Sequence, residues 1–178
     1  MKKNKLSLLL FATIVILASC NKDKTDKTEL PLEYKYVLLD TLGNEKTEFN
    51  QGENIVFSFQ IINKSSEDLM VRNFLGYPGL FRVYQINTNK DTLDYGYPYD
   101  YACQVGGFGI PKNGKLEITC PWVNTENNNF YHICITPNPD LHQAYLPVGN
   151  FHTIIEPTIE IPDLITETKY FKINFTVK

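Results

Sequence analysis

Apolar and polar residues alternate with a period of two along much of this chain. Ile55, Phe57, Phe59 and Ile61 alternate with Val56, Ser58, Gln60 and Ile62. Near the C-terminus Phe171, Ile173, Phe175 and Val177 alternate with Lys172, Asn174, Thr176 and Lys178. Successive side chains of an extended strand point to opposite faces, so each run predicts a strand with its first set inward. Leu116, Ile118, Cys120 and Trp122 form a third inward row. Further strands are expected over Tyr34–Asp40, Leu69–Asn73, Leu80–Ile86, Phe130–Thr136 and Phe151–Glu156. Turn residues separate them at Asn50-Gln51-Gly52-Glu53, Asn63-Lys64-Ser65-Ser66, Pro111-Lys112-Asn113-Gly114 and Pro147-Val148-Gly149-Asn150. One helical turn is expected at Asn138-Pro139-Asp140-Leu141-His142, where asparagine can cap and proline suits the first helical position. Short strands, polar turns and no long helical pattern predict an all-β chain folded as an antiparallel β-sandwich.

The beginning of the chain breaks this pattern. Lys2, Lys3 and Lys5 precede an apolar run from Leu6 to Ala18, too short to span a bilayer as a stable helix, and the run closes on Leu17-Ala18-Ser19-Cys20. This resembles the lipobox of bacterial lipoproteins. The resemblance implies cleavage before Cys20, a diacylglycerol on its sulfur and a further acyl chain, such as palmitate, on its freed amine. Each buried methylene contributes roughly 0.8 kcal/mol, so several chains together hold a protein on a membrane. The expected organisation is a signal peptide at 1–19, lipidated Cys20 with a polar tether at 20–32, and one domain at 33–178. Asn21 stands where aspartate favours inner-membrane retention in well-studied Gram-negative systems. By that analogy the outer membrane is expected, with periplasmic and surface faces both open.

Charge narrows the partners. The chain has 17 basic and 20 acidic residues; without Lys2, Lys3 and Lys5 it keeps 14 basic residues, a net charge of −6. That argues against nucleic acid, which requires a concentrated basic face. With Cys20 lipidated, Cys103, Cys120 and Cys134 remain. One disulfide plus one thiol, or three thiols, both fit that odd number.

Four pieces then occur in order. Phe49-Asn50-Gln51-Gly52-Glu53-Asn54-Ile55 leads to Ile61-Ile62-Asn63-Lys64-Ser65; Phe81-Arg82-Val83-Tyr84 follows. Pro111-Lys112-Asn113-Gly114-Lys115 leads to Trp122, and Leu146-Pro147-Val148-Gly149-Asn150-Phe151 opens a late strand. Together they are similar to the bacterial intracellular proteinase-inhibitor family over about residues 49–156. The resemblance implies an Ig-like β-sandwich, with proteinase inhibition as an alternative function. Residues 124–145 are an insertion relative to that pattern, and Phe151 replaces its usual tyrosine.

Tyr95, Tyr97, Tyr99 and Tyr101 lie two apart, shortly before Gly106-Gly107-Phe108-Gly109. In an extended chain that spacing would set all four rings on one side, a contact surface for a sugar or protein partner that includes Phe108. The alternative is a long loop whose rings close one edge of the core; Pro98 argues against a central strand in either case. Asp40-Thr41-Leu42 and Asp91-Thr92-Leu93 resemble an O-glycosylation signal of some anaerobic Gram-negative envelopes, which makes Thr41 and Thr92 candidate acceptors. His132, His142 and His152 are isolated, and neither metal nor cofactor is expected. Excluding residues 1–19, only Ser58, Ser65 and Ser66 are serines, none in a nucleophile elbow, so a hydrolase is the least favoured reading. The expected function is a non-catalytic, lipid-anchored binding or assembly module.

Overall fold

The strands follow the alternation. In chain order they are β1 (Leu32–Leu39), β2 (Glu48–Phe49), β3 (Val56–Asn63), β4 (Leu69–Val71), β5 (Arg82–Ile86), β6 (Thr92–Gly96), β7 (Tyr99–Tyr101), β8 (Phe108–Ile110), β9 (Lys115–Pro121), β10 (Ile135–Pro137), β11 (Gly149–Ile155), β12 (Thr158–Ile161), β13 (Ile165–Thr168) and β14 (Phe171–Val177). The computed structural model describes residues 31–72, 80–101, 107–123, 135–137, 144–162 and 165–178, and these contain no helix. The segment 1–19, Cys20, most of the tether, Cys103, Cys134, His132, His142 and the helical turn expected at 138–142 lie outside the described residues.

One sheet has the order β1-β3-β9 and a second the order β2-β14-β11-β5-β6. Every pairing is antiparallel except that of β2 with β14. The segment carrying β1 and β2 begins in the first sheet and crosses to the second. This division places strands A, B and E opposite G, F and C, with an added edge strand beside C, which is the arrangement of an Ig-like β-sandwich. Three short ribbons, β4–β8, β7–β10 and β12–β13, accompany the two sheets.

The layers face each other through aromatic rings. Phe59 of β3 lies 5.6 Å from Phe171 of β14, and Tyr36 of β1 lies 6.5 Å from the same ring. The Tyr36 hydroxyl and Thr153 Oγ1 of β11 are 2.7 Å apart across the interior. Phe49, Phe175, Phe151 and Tyr95 form a row along the inner face of the larger sheet, with successive centroids 6.2, 5.4 and 5.8 Å apart. Phe57, Phe59, Phe81 and Phe151 have no solvent exposure, and each contributes about 1.5–3 kcal/mol by burial.

Phe81 meets this core from an unusual backbone position. Its φ is +65°, a left-handed conformation that costs a bulky residue about 1–2 kcal/mol. The compensation is its ring, 5.5 Å from Phe57, 5.9 Å from Tyr36 and 6.1 Å from Tyr99. The expected strand Leu80–Ile86 therefore begins only at Arg82, after the kink.

Turn chemistry follows the expectations at three of the four sites; at Pro147–Asn150 the chain instead enters β11 at Gly149, whose pairing with β14 and β5 carries Asn150 into the sheet. The Glu53 amide donates to Asn50 O at 2.9 Å, and Gly52 supplies the φ of +82° between them. Asn63 is fully buried. Its Nδ2 donates to the carbonyls of Glu67, Ile110 and Pro111, and its Oδ1 accepts from the Ser65 amide and hydroxyl.

Some inward–outward assignments need amendment. Val56 and Ser58, expected to face water, are fully buried. Because β3 is the middle strand, they are flanked by β1 on one side and β9 on the other, and Ser58 Oγ donates to Glu117 Oε1 at 3.0 Å. Trp122 is buried as expected, but it lies just past β9; its ring is 6.4 Å from Phe57 and its Nε1 donates to Ala144 O at 3.2 Å. Cys120 is a buried free thiol.

Candidate functional site

The tyrosine series does not share one face. Thr92–Gly96 forms the edge strand of the five-stranded sheet, whereas Tyr99 starts β7, which pairs with β10. Two devices break the period of two. A register shift opposite Val83 and Tyr84 makes Tyr95 an extra residue, and Gly96 follows with a φ of +94°. The Tyr95 ring consequently turns inward, edge-on to Phe151 at 5.8 Å. Tyr99 is only 3% exposed, and burial pushes its phenol well above the usual range. Tyr97 remains half-buried, and the ring of Tyr101 lies outside the described residues. Phe108 is half-buried on β8, opposite Val71 of β4.

Tyr97 instead joins a surface that the sequence did not announce. Val83, Phe151, Thr153, Phe175 and Val177 are buried inward, so the intervening residues of β5, β11 and β14 form the outer face of the larger sheet. Register sets Asp94, Tyr84, His152 and Asn174 in one row and Arg82, Ile154 and Lys172 in the next. Adjacent members of a row are about 5 Å apart.

Arg82 organises one end of this face. Its Nε donates to both carboxylate oxygens of Asp94, at 2.9 and 3.1 Å, and its Nη2 makes a further contact to Oδ2. The guanidinium carbon lies 5.8 Å from the centroid of Tyr97. Hydrogen bonds from Arg82 hold the Asp94 carboxyl below the usual carboxylate range despite partial burial, and the Gly96 amide adds to the effect at 2.9 Å. Two of the five guanidinium N–H groups are thereby engaged, and the others have no partner among the described residues. The fork is planar and fixed from two sides, which limits the entropy a ligand must remove on binding.

The other end is an aromatic stack. Tyr84 and His152 lie 5.0 Å apart with an interplanar angle of 19°. His152 is 5% exposed, and its Nδ1 has no hydrogen-bond partner among the described residues. Burial lowers the pKa of this ring below the ordinary histidine value, and the Lys172 charge lowers it further. Among the described residues no group of three His, Cys, Asp or Glu side chains is placed to hold a metal ion.

The two Asp-Thr-Leu segments occupy similar surroundings. Thr41 sits on the turn whose Gly43 amide donates to Asp40 O at 3.0 Å, and Thr92 opens β6 just after the turn closed by Lys90 N to Asn87 O at 3.0 Å. Both threonines are exposed. Leu42 and Leu93, the residues that follow them, are 86% and 60% exposed, the two highest values among the large apolar side chains described.

No family model matches the chain, and no curated protein matches it. Among solved structures, a PapD-like domain of human CEP192 is 9% identical, with a TM-score of 0.41 over 84% of this chain and 86% of that one. The alkylpurine DNA glycosylase AlkC of Pseudomonas fluorescens is 8% identical with a TM-score of 0.36, and this chain spans 31% of its length. A β-glucosidase from Listeria innocua is 13% identical with a TM-score of 0.29, and 16% of it is spanned. Likeness at this level carries no activity across; the Ig-like assignment rests on the strand order of the two sheets.

Proposed function

We propose that this protein is a lipid-anchored envelope protein whose Ig-like domain is a non-catalytic binding module. Its contact surface is the outer face of the five-stranded sheet, centred on Arg82, Tyr97, Asp94 and Tyr84. The observation that carries this reading is the Arg82 guanidinium, bound by Asp94 and stacked by Tyr97 yet still offering N–H groups. Aromatic and arginine side chains are the residues that most often dominate recognition surfaces. Anchoring rests on the Leu17-Ala18-Ser19-Cys20 segment.

The test immobilises the full chain in detergent and captures partners from envelope extract and from a glycan array. Arg82→Ala and Tyr97→Ala run beside the wild type, with folding followed by circular dichroism. A partner retained by wild type and lost by both folded variants supports the reading. Equal capture by all three refutes this face as the site. Stoichiometric blockade of a protease would replace the reading with proteinase inhibition. Metabolic labelling with an alkyne fatty acid should mark the wild type and fail with Cys20→Ala; equal labelling would refute the anchor.

We also propose that Thr41 and Thr92 are glycan acceptors. The support is their exposed placement, Thr41 on a turn and Thr92 at the start of the edge strand β6, with an exposed leucine following each. The intact mass of the chain from its native cells should exceed that of the Thr41→Ala/Thr92→Ala variant by two glycans. A mass difference accounted for by the substitutions alone would refute it.

A further inference from the structure

We propose that His152 is a proton-sensitive fastener of the outer sheet face: its neutral ring closes the face against Tyr84, and uptake of a second proton releases that stack. Nothing in this depends on what the face binds.

The geometry is unusual for a water-facing position. His152 points outward from β11, yet it is 5% exposed and its Nδ1 is buried without a partner among the described residues. A buried polar atom left unpaired in a folded protein calls for an explanation. A neutral ring can place its unprotonated nitrogen there and lose only an acceptor's bond. A protonated ring has two donors, so the buried Nδ1 would carry an N–H that belongs to a cation and has nowhere to donate.

The neighbours do not offset that charge. On β5 the facing groups are Tyr84, stacked at 5.0 Å, and Arg82. On β6 the carboxylate is Asp94, already bound by Arg82 and the Gly96 amide. On β14 they are Asn174 and the exposed Lys172. On β11 itself the outward neighbours, Asn150 and Ile154, are uncharged. Of these groups the charge that acts on the ring is the Lys172 cation, and the one carboxylate among them is committed to Arg82. Burial and Lys172 both favour its neutral form.

The sign follows from linkage. An unfolded histidine titrates near 6.5 and this one lower, so between those values the unfolded chain holds more protons. Stability is complete above about 6.5 and is lost as pH falls through 6.5 towards the folded value. Ordinary carboxylates titrate below this range, so comparison of pH 7.5 with pH 5.5 isolates the histidines.

The experiment follows the histidine ring protons of the full chain in detergent micelles by NMR. The His152 resonance is assigned by its absence in His152→Phe, a variant that keeps an aromatic ring against Tyr84. The expected His152 midpoint lies below 6.5, and the Tyr84 ring resonances shift at the same midpoint. Lys172→Gln should move that midpoint upward. The denaturant midpoint of the wild type should fall between pH 7.5 and 5.5 by more than that of His152→Phe; His132 and His142 are common to both and cancel. A His152 midpoint at or above 6.5, or an equal fall in wild type and His152→Phe, overturns the proposal.

Discussion

Replacing Tyr36 with phenylalanine deletes a single oxygen from the middle of the sandwich. The Tyr36 hydroxyl and Thr153 Oγ1 are 2.7 Å apart, Thr153 has no solvent exposure and Tyr36 has 9%. Removing one partner strands the other as a buried hydroxyl, which costs about 1–3 kcal/mol. Thr153→Val strands the Tyr36 hydroxyl by the same logic and should cost a similar amount. In the double variant nothing is stranded, so Tyr36→Phe/Thr153→Val should cost no more than either single variant and far less than their sum. The expected coupling energy is about 1–3 kcal/mol. Urea unfolding followed by far-ultraviolet circular dichroism measures it, with an unchanged slope confirming that the unfolded state is unaffected. For a domain near 150 residues, each kcal/mol moves Tm by about 2–4 °C, so either single change should be visible by melting. Additive single effects, coupled by less than about 0.5 kcal/mol, would refute the claim that this bond joins the two sheets.

Three other outcomes follow from the same structure. Asn63→Ala removes five hydrogen bonds around the β3–β4 turn and should cost about 3 kcal/mol. Asn63→Asp should cost still more, because it sets a carboxylate against three carbonyl oxygens; denaturation that finds Asp milder than Ala would reverse this reading. In acid, Glu117 and Glu167 lose their contributions. Burial pushes both carboxyls up, but hydrogen bonds to Glu117 from Lys115, Ser58 and Gln60, and to Glu167 from Lys169 and Tyr34, outweigh it and hold both below the usual value. Their stabilisation is complete above about pH 4.3 and is lost as pH falls from there through the lower folded values; Glu117→Gln and Glu167→Gln should each flatten the stability profile between pH 5 and 3. The Cys120 thiol is fully buried, and that burial raises its pKa. Peptide mapping after thiol labelling at pH 8 should find Cys120 modified only at the rate of global unfolding, and rapid modification would contradict its placement.

What could be read in the sequence was whatever depends on neighbours along the chain. The inward rows of β3, β9 and β14 follow from the period of two, and the Asn50–Glu53 and Pro111–Gly114 turns follow from their glycine, asparagine and proline. The strand β12, not among the expected ones, carries the same kind of signal, since Ile159 and Ile161 alternate and Pro162 follows. The burial of Val56 and Ser58 was not, because it depends on which strands flank β3. Nor was the left-handed Phe81 legible, because only the completed core supplies the contacts that offset its strain.

The displacement of the candidate site has the same origin. A period of two assigns a common face only while the chain stays in one strand, and the bulge at Tyr95 with Gly96 ends that condition inside the tyrosine series. The surface that replaces it combines residues from positions 82 to 174, brought together by register. Even so, one signal was available. The outward set of β14 is Lys172, Asn174 and Thr176, an ordinary water-facing series. The outward sets of β5 and β11 are Arg82, Tyr84 and Ile86, and Asn150, His152 and Ile154, richer in rings and branched apolar chains. Those positions gain little from the core between the sheets, since they point away from it. Apolar and aromatic residues at the outward positions of two adjacent strands therefore mark the face we propose for contact, and that mark depends only on knowing which face of each strand is inward.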